Sequence, residues 1–236
     1  MNDLRASSPA GLRELLNGEA LVESLQTRFR TAVADVTVGD RSYSILKPAN
    51  ADDLIREEDF VKDERLPYWA DIWPSSLILA AKLLELDGRG RTALELGCGV
   101  GLSTIAASSA GFNVLSTDYY DDALEFTRAN VFTNIGLEAR TVMFDWRHPP
   151  EDLARYDLVF ASDVLYEQEY AMLLPRILRR ALAPNGFALI ADPGRVAAPI
   201  FVDTCTENRL VADKIETRPF ASGEIRQNID IYSVRA

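Results

Sequence analysis

The chain has 236 residues, 47% of them hydrophobic, which suits one sizeable α/β domain with an N-terminal extension. Its formal net charge of −11 disfavours DNA and large structured RNA as partners, because an acidic surface repels phosphate backbones. Two cysteines, Cys98 and Cys205, do not make a disulfide framework, and no apolar run suits a signal peptide or a membrane span. We therefore expect a cytoplasmic protein with no membrane partner.

Residues 1–63 are predicted to form the extension, and residues 64–236 the main domain. Between Leu12 and Phe29, apolar residues recur at helical spacing, and Asn17-Gly18 is a candidate break in this helix. Two alternating segments around a Gly-Asp turn then predict a β-hairpin, at residues 31–38 and 41–47. A charged connection follows at residues 50–63.

The main domain is predicted to alternate between helices and strands. Its expected helices cover residues 77–86, 102–110, 121–135, 169–182 and 197–208. Its expected strands cover residues 92–96, 113–116, 140–144, 158–161, 187–191, 211–217 and 228–234. The turn residues Pro184-Asn185-Gly186 are predicted to close the fourth of these helices.

This alternation indicates a mostly parallel sheet with helices on both faces. Only residues 219–226 are predicted to connect the last two strands, which is too short for a parallel crossover, so the last strand is expected to be antiparallel. The predicted fold class is α/β, with a seven-stranded Rossmann-like sheet and the N-terminal helix and hairpin as an addition.

A glycine-rich segment lies between the first strand of this domain and the next helix. It reads Glu95-Leu-Gly97-Cys-Gly99-Val-Gly101, and its glycines allow a sharp turn and the close approach of a ligand to the backbone. A dinucleotide fingerprint requires a small residue where this chain has Leu102, and it does not require Glu95. A nicotinamide site and a plain tight turn remain as alternatives.

Three further groups of polar residues follow the next three strands, so they share the edge of the sheet at which ligands bind. Asp118, with Tyr119 beside it, is placed to accept hydrogen bonds from ribose hydroxyls, the alternative being a helix cap. The other two groups are the pair Asp145-Trp146 and the segment from Ser162 to Glu167, which includes Asp163 and Tyr166.

The glycine segment resembles the first motif of class I S-adenosylmethionine-dependent methyltransferases, which are seven-stranded enzymes. The sequence Asp163-x-x-Tyr166 and the position of Trp73 are similar to those of the seven-stranded protein lysine methyltransferases and of nicotinamide N-methyltransferase-like enzymes. The resemblance covers residues 65–195. Within it, Asp192-Pro-Gly-Arg195 is similar to the corresponding segment of a relative that methylates a flavoprotein subunit.

The resemblance implies an S-adenosylmethionine cofactor, with S-adenosylhomocysteine as the product. It implies that the glycine segment wraps the methionine portion, that Asp145 and Trp146 hold the adenine, and that Asp163 and Tyr166 orient an incoming amine as catalytic residues. The implied cofactor-binding residues are Trp73, Glu95, Gly97, Gly99, Gly101, Asp118, Tyr119, Asp145, Trp146 and Ser162.

For several other aromatic and titratable residues, the sequence leaves more than one role open. Tyr68, Trp69 and Trp73 are candidates for an aromatic wall that excludes water and attracts a cation, and Trp69 is equally well explained as core. The single histidine, His148, is interpreted as a solvated loop residue. No clustering of His, Cys and carboxylate residues at metal spacing is apparent, so we expect no metal.

The chain lacks sequence features of two classes of nucleic-acid methyltransferase, which makes a nucleic acid an unfavoured methyl acceptor. Nucleic-acid amino-methyltransferases carry two prolines where this chain has Val164 and Leu165, and the cytosine-C5 enzymes need a cysteine after the fourth strand that is absent here. The predicted function is methylation of a protein lysine side chain by in-line displacement, and the alternative is methylation of a small amine or pyridine-type metabolite. A cofactor-binding module without activity and an NAD-linked oxidoreductase are the remaining alternatives.

Overall fold

A computed structural model describes residues 17–54 and 66–236 of the chain. The predicted helical residues before Asn17, and the charged connection after Leu54, lie outside the described residues. The described α-helices are α1 (Gly18–Arg28), α2 (Pro74–Leu84), α3 (Leu102–Ser109), α4 (Asp121–Ile135), α5 (Gln168–Ala181) and α6 (Ala198–Glu207). The strands are β1 (Thr31–Val38), β2 (Arg41–Pro48), β3 (Thr92–Leu96), β4 (Asn113–Asp118), β5 (Arg140–Met143), β6 (Tyr156–Ser162), β7 (Leu182–Asp192), β8 (Val211–Ser222) and β9 (Ile225–Arg235).

Seven of the strands form one sheet in the order β5-β4-β3-β6-β7-β9-β8, and β1 and β2 form a separate hairpin. Strands β3 to β7 run parallel, whereas β9 is antiparallel to both β7 and β8. The predicted Rossmann-like α/β fold with an antiparallel last strand is therefore confirmed. The chain winds outward in opposite directions from β3 and β6, and the diverging loops beyond these two strand ends leave a crevice.

The sheet separates two hydrophobic layers. Along β6, Leu158 and Phe160 belong to the layer beneath α2, α3 and α4, while Val159 and Ala161 belong to the layer beneath α5 and α6. This alternation follows from the two-residue period of a strand that is covered on both faces. Buried residues of α1 and of the hairpin extend the first layer, so these two elements share the core of the main domain.

Two predicted connections are wrong. Pro184-Asn185-Gly186 does not close a helix, because β7 already begins at Leu182 and the residues between the pairs Tyr156↔Leu182 and Leu158↔Phe187 form a bulge. Residues 219–226 are not a loop, because β8 and β9 continue as a ladder to the pair Ser222↔Ile225. The actual turn holds only two residues, and Gly223 in it has a φ of 55°, a left-handed conformation that glycine adopts without strain.

Helix α1 begins at Asn17-Gly18, the pair at which the sequence predicted a break. The side chain of Asn17 caps the helix by accepting a hydrogen bond from the Ala20 N–H at 2.9 Å. A Cβ on Gly18 would lie 1.9 Å from the ring of Phe132, so glycine lets α1 pack closely on α4. Separately, none of the helices in the described parts of the chain combines the length and apolar character that crossing a bilayer requires.

Candidate active site

All of the predicted cofactor-binding and catalytic residues line one cleft at the carboxyl ends of β3 to β6. They are Trp73, Glu95, Gly97, Gly99, Gly101, Asp118, Tyr119, Asp145, Trp146, Ser162, Asp163 and Tyr166. Strand order brings together all of them except Trp73, because parallel strands end at the same edge of the sheet. Trp73 reaches the cleft from the N-terminus of α2. Their individual roles stay predictions.

The glycine segment curls tightly between β3 and α3. Gly97, Gly99 and Gly101 have φ angles of 77°, 53° and 88°, in the left-handed region that other residues rarely adopt. A Cβ on Gly99 would lie 3.0 Å from the Trp69 carbonyl oxygen, and one on Gly101 would lie 2.9 Å from the Cα of Thr127. Glycine is therefore required here by both conformation and space.

Asp118 at the end of β4 connects its strand to this loop. One carboxylate oxygen accepts a hydrogen bond from the Gly99 N–H at 2.9 Å, and the other accepts from the Tyr120 N–H at 3.2 Å. Burial raises the pKa of Asp118, and the backbone donors partly oppose that rise. Tyr120, not Asp118, is the N-cap residue of α4, so the helix-cap interpretation of Asp118 is not supported.

Glu95, the first residue of the glycine segment, has a buried side chain. Its carboxyl accepts a hydrogen bond from the Thr104 hydroxyl, which lies 2.8 Å from the hydroxyl of Ser116. Burial raises the pKa of Glu95 from 4.5 to about 8, against the opposing effect of the two hydroxyls. The carboxyl is therefore protonated at neutral pH unless a cation lies beside it. The nearby Ser103 hydroxyl is also buried, and it has no hydrogen-bond partner among the described residues.

Replacing Glu95 by glutamine should change how stability depends on pH. Because the pKa of Glu95 is about 8 in the folded chain and near 4.5 when unfolded, the unfolded state releases a proton first as pH rises. The free energy of unfolding should therefore fall between about pH 4.5 and pH 8, by an amount on the order of a few kcal/mol. Glu95→Gln removes this contribution, so its unfolding midpoint in urea should decline less from pH 5 to pH 8 than that of the wild type. Parallel declines in the two proteins would show that Glu95 is not responsible.

Asp145 is held by its neighbours in the loop after β5. Arg147 donates to it through Nε at 3.0 Å and through a terminal nitrogen at 2.9 Å, and His148 Nδ1 lies 3.2 Å away. Burial opposes ionisation, but these hydrogen bonds outweigh it and lower the pKa of Asp145 to about 2. His148 is exposed, as its interpretation as a loop residue requires. Trp146 packs edge-on against Tyr170 with the ring centroids 5.7 Å apart.

Asp163 is fixed by two partners that the sequence did not reveal. Arg195, in the loop after β7, forms an ion pair with one oxygen, its Nε lying at 2.7 Å. Ser75 in the first turn of α2 donates to the other oxygen at 3.0 Å. Asp163 is buried and has a φ of 58°. Aspartate is among the few residues that tolerate this left-handed conformation.

Aromatic side chains form the rim beside Asp163. Tyr68 contacts both Trp73 and Tyr166, with ring centroids 6.0 Å and 5.4 Å apart. The Trp73 indole N–H donates to the Tyr68 carbonyl at 2.8 Å, and the Arg195 guanidinium lies 5.9 Å from the Trp73 ring. Desolvation of its hydroxyl raises the pKa of Tyr166 well above the ordinary value, so this side chain stays a neutral phenol.

Trp69 differs from the other two residues of the predicted aromatic wall. Its ring packs on Phe126 of α4, with the centroids 5.7 Å apart, and on Tyr120 at 6.3 Å. It also contributes to the lining of the cleft. Trp69 thus packs against the core and also lines the cleft, and its role towards a bound cation stays a prediction.

Comparison with known proteins assigns the family. The profile of a family described as lysine methyltransferase matches residues 58–199, more than half of the chain. This chain belongs to the lysine methyltransferase family. The resemblance inferred from the Asp163-x-x-Tyr166 sequence and from Trp73 is confirmed at the level of the family.

Similar curated proteins are named as lysine methyltransferases. The chain is 34% identical over 137 residues to the electron transfer flavoprotein beta subunit lysine methyltransferase of Xenopus laevis, an alignment covering 55% of this chain and 53% of that protein. It is 32% identical over 136 residues to EEF1A lysine methyltransferase 3 of Mus musculus, covering 56% and 58%. The chain thus spans about half the length of the curated relatives it matches.

Several solved methyltransferase structures share the fold of this chain. Magnesium protoporphyrin IX methyltransferase from Synechocystis PCC 6803, with bound S-adenosylmethionine, matches with a TM-score of 0.56 and 17% identity, over 77% of this chain and 86% of that one. Ribosomal protein L11 methylase from Lactobacillus delbrueckii subsp. bulgaricus matches with a TM-score of 0.55 and 20% identity, over 70% and 81%. At these identities the likeness concerns the fold alone.

Proposed function

We propose that this chain is an S-adenosylmethionine-dependent N-methyltransferase that methylates a lysine side chain of a protein by in-line displacement. The observation that carries the proposal is the convergence of the glycine segment, Asp118 and the pair Asp163 and Tyr166 on one cleft, in a lysine methyltransferase family member. Residues 64–236 would form the catalytic domain, and residues 1–63 its extension.

The residues of the cleft fit the proposed cofactor. The glycine segment offers a tightly curled backbone, in which larger side chains would collide with their neighbours, and the carboxyl of Glu95. Ser103, in the following helix, adds a buried hydroxyl that has no partner among the described residues. Together these groups suit the polar methionine portion of the cofactor. Asp118 would accept from the ribose hydroxyls, Asp145 and Trp146 would hold the adenine, and Trp73, Tyr119 and Ser162 would complete the walls. When bound, S-adenosylmethionine supplies a methyl group activated by its positive sulfur.

The Asp163 site can receive a neutral amine. A lysine must lose its proton before it acts as a nucleophile, and an isolated carboxylate would favour the charged ammonium form. The ion pair with Arg195 offsets the charge of Asp163, so its oxygens can accept hydrogen bonds from the amine without strongly stabilising the ammonium form. Tyr166 remains a neutral phenol that offers a second acceptor. Together they would aim the nitrogen at the methyl carbon, with the two atoms about 3–3.5 Å apart.

The rim of the cleft fits a lysine presented by another protein. Tyr68 and Tyr166 are 42% and 39% exposed, so an aromatic surface lies open beside Asp163. Glu167 is exposed next to them, and the formal net charge of −11 favours a cationic partner. The relatives described above are named as protein lysine methyltransferases, which supports the same class of acceptor.

Incubation with radiolabelled S-adenosylmethionine and a lysate from cells lacking the enzyme tests this proposal. We expect label in a protein band, and methyl-lysine in the tryptic peptides of that band by mass spectrometry. Label that appears only in a soluble compound would instead identify a small-metabolite methyltransferase. Labelling by wild type but not by Asp163→Asn establishes that the signal comes from this active site.

A further inference from the structure

One face of α4 carries a row of polar side chains that contact two separate parts of the chain. Thr127, Asn130 and Asn134 are three and four residues apart, so they lie one above another along the helix. Asn130 is fully buried, a costly position for an amide unless its donors and acceptor are matched.

The two asparagines bind the free edge of β2. Asn130 accepts from the Leu46 N–H and donates to the Leu46 carbonyl, both at 2.8 Å. Asn134 accepts from the Ser44 N–H at 2.9 Å and donates to the Ser44 carbonyl at 3.0 Å. Residues two apart in a strand are separated by about 6.8 Å, and residues four apart in a helix by about 6 Å. The two side-chain amides therefore match the spacing of the strand edge and replace a neighbouring strand.

Asn130, unlike Asn134, also donates a hydrogen bond to the glycine segment. Its remaining amide proton is donated to the carbonyl of Val100, inside the glycine segment, at 2.8 Å. One helical turn earlier, the Thr127 hydroxyl donates to the Gly99 carbonyl at 3.0 Å. Two consecutive peptide units of the segment are thus held from α4, and because peptide units are planar, their N–H directions are fixed as well.

We infer that Asn130 is a positioning residue through which the N-terminal hairpin holds the glycine segment in its cofactor-binding conformation. The inference rests on the proposed cofactor site. It assigns a function to the β1–β2 hairpin: its backbone at Leu46 orients the Asn130 amide, and the amide in turn orients the Val100 carbonyl. Asn134 binds the same strand edge without a hydrogen bond to the glycine segment, so it provides a matched control.

Calorimetric titration with S-adenosylhomocysteine separates the positioning role from a merely structural one. Asn130→Ala should weaken binding about tenfold or more, whereas Asn134→Ala should stay within about twofold of wild type. Both variants lose hairpin contacts, so both should unfold at a lower temperature. Equal losses of affinity in the two variants, or no loss in Asn130→Ala, would overturn the inference.

Amide hydrogen exchange on the wild-type chain, followed by NMR, tests the same coupling without any variant. Coupling between two sites is reciprocal, so S-adenosylhomocysteine should slow exchange of the Leu46 amide more than that of Ser44. If the ligand protects the amides of the glycine segment but leaves Leu46 unchanged, the inference fails while the proposed function stands. If the wild type does not bind the ligand at all, the proposed function itself has failed.

Discussion

Asp163→Asn should lower kcat by about 100- to 1000-fold, the range expected when a group that orients and desolvates the reacting nitrogen is lost. The substitution keeps the size of the side chain but removes the charge that pairs with Arg195 and replaces one acceptor oxygen with a donor. The affinity for S-adenosylmethionine should stay within a few-fold, because this side chain is proposed to contact the acceptor. Steady-state kinetics and a calorimetric titration of the same preparation measure the two effects.

Asparagine is a better replacement than alanine because of the backbone at this position. Asp163 has a φ of 58°, which asparagine tolerates and alanine does not, so Asp163→Asn avoids a conformational change unrelated to chemistry. Ser75→Ala is the graded control, since it removes one hydrogen bond to Asp163 but leaves the Arg195 ion pair in place, and its kcat should fall by about tenfold or less. A fully active Asp163→Asn enzyme would exclude the proposed role.

The sequence predicted the parts of the site that depend on local order along the chain. A strand followed by glycines or by a carboxylate places those residues at the carboxyl edge of a parallel sheet, and this placed Gly97, Asp118, Asp145 and Asp163 around one crevice. The same reasoning predicted the mostly parallel sheet, and the antiparallel β9 followed because a connection that is too short for a crossover leaves only one direction.

The features of the site that the sequence did not predict depend on contacts between segments that are distant along the chain. Arg195 lies 32 residues after Asp163 and reaches it only because β7 lies next to β6. Ser75 approaches from α2, 88 residues before Asp163 in the chain. The motif around Arg195 was visible in the sequence, but its partner was not. Likewise, nothing in the sequence of β2 reveals that the amide of Asn130 takes the place of a neighbouring strand.

Asp118→Ala should have the opposite effect to Asp163→Asn. Two charge-assisted hydrogen bonds to ribose, at about 1.5–3 kcal/mol each, correspond to a loss of roughly 100-fold or more in S-adenosylmethionine affinity. The alanine also releases the Gly99 N–H from the carboxylate that holds it at 2.9 Å, which loosens the loop itself. Because the proposed loss is one of binding, KM for the cofactor should rise, and kcat at saturating cofactor should change much less.

Two variants separate the ribose contact from the support of the loop. Asp118→Asn keeps an acceptor for Gly99 but loses the charge and the second acceptor, so its affinity should fall between those of wild type and Asp118→Ala. Asp121→Ala removes an exposed carboxylate three residues away in the first turn of α4, and it should leave the affinity unchanged. An unaltered cofactor affinity in Asp118→Ala would remove Asp118 from the site. Equal losses in Asp118→Ala and Asp121→Ala would indicate a general electrostatic effect, and not a ribose contact.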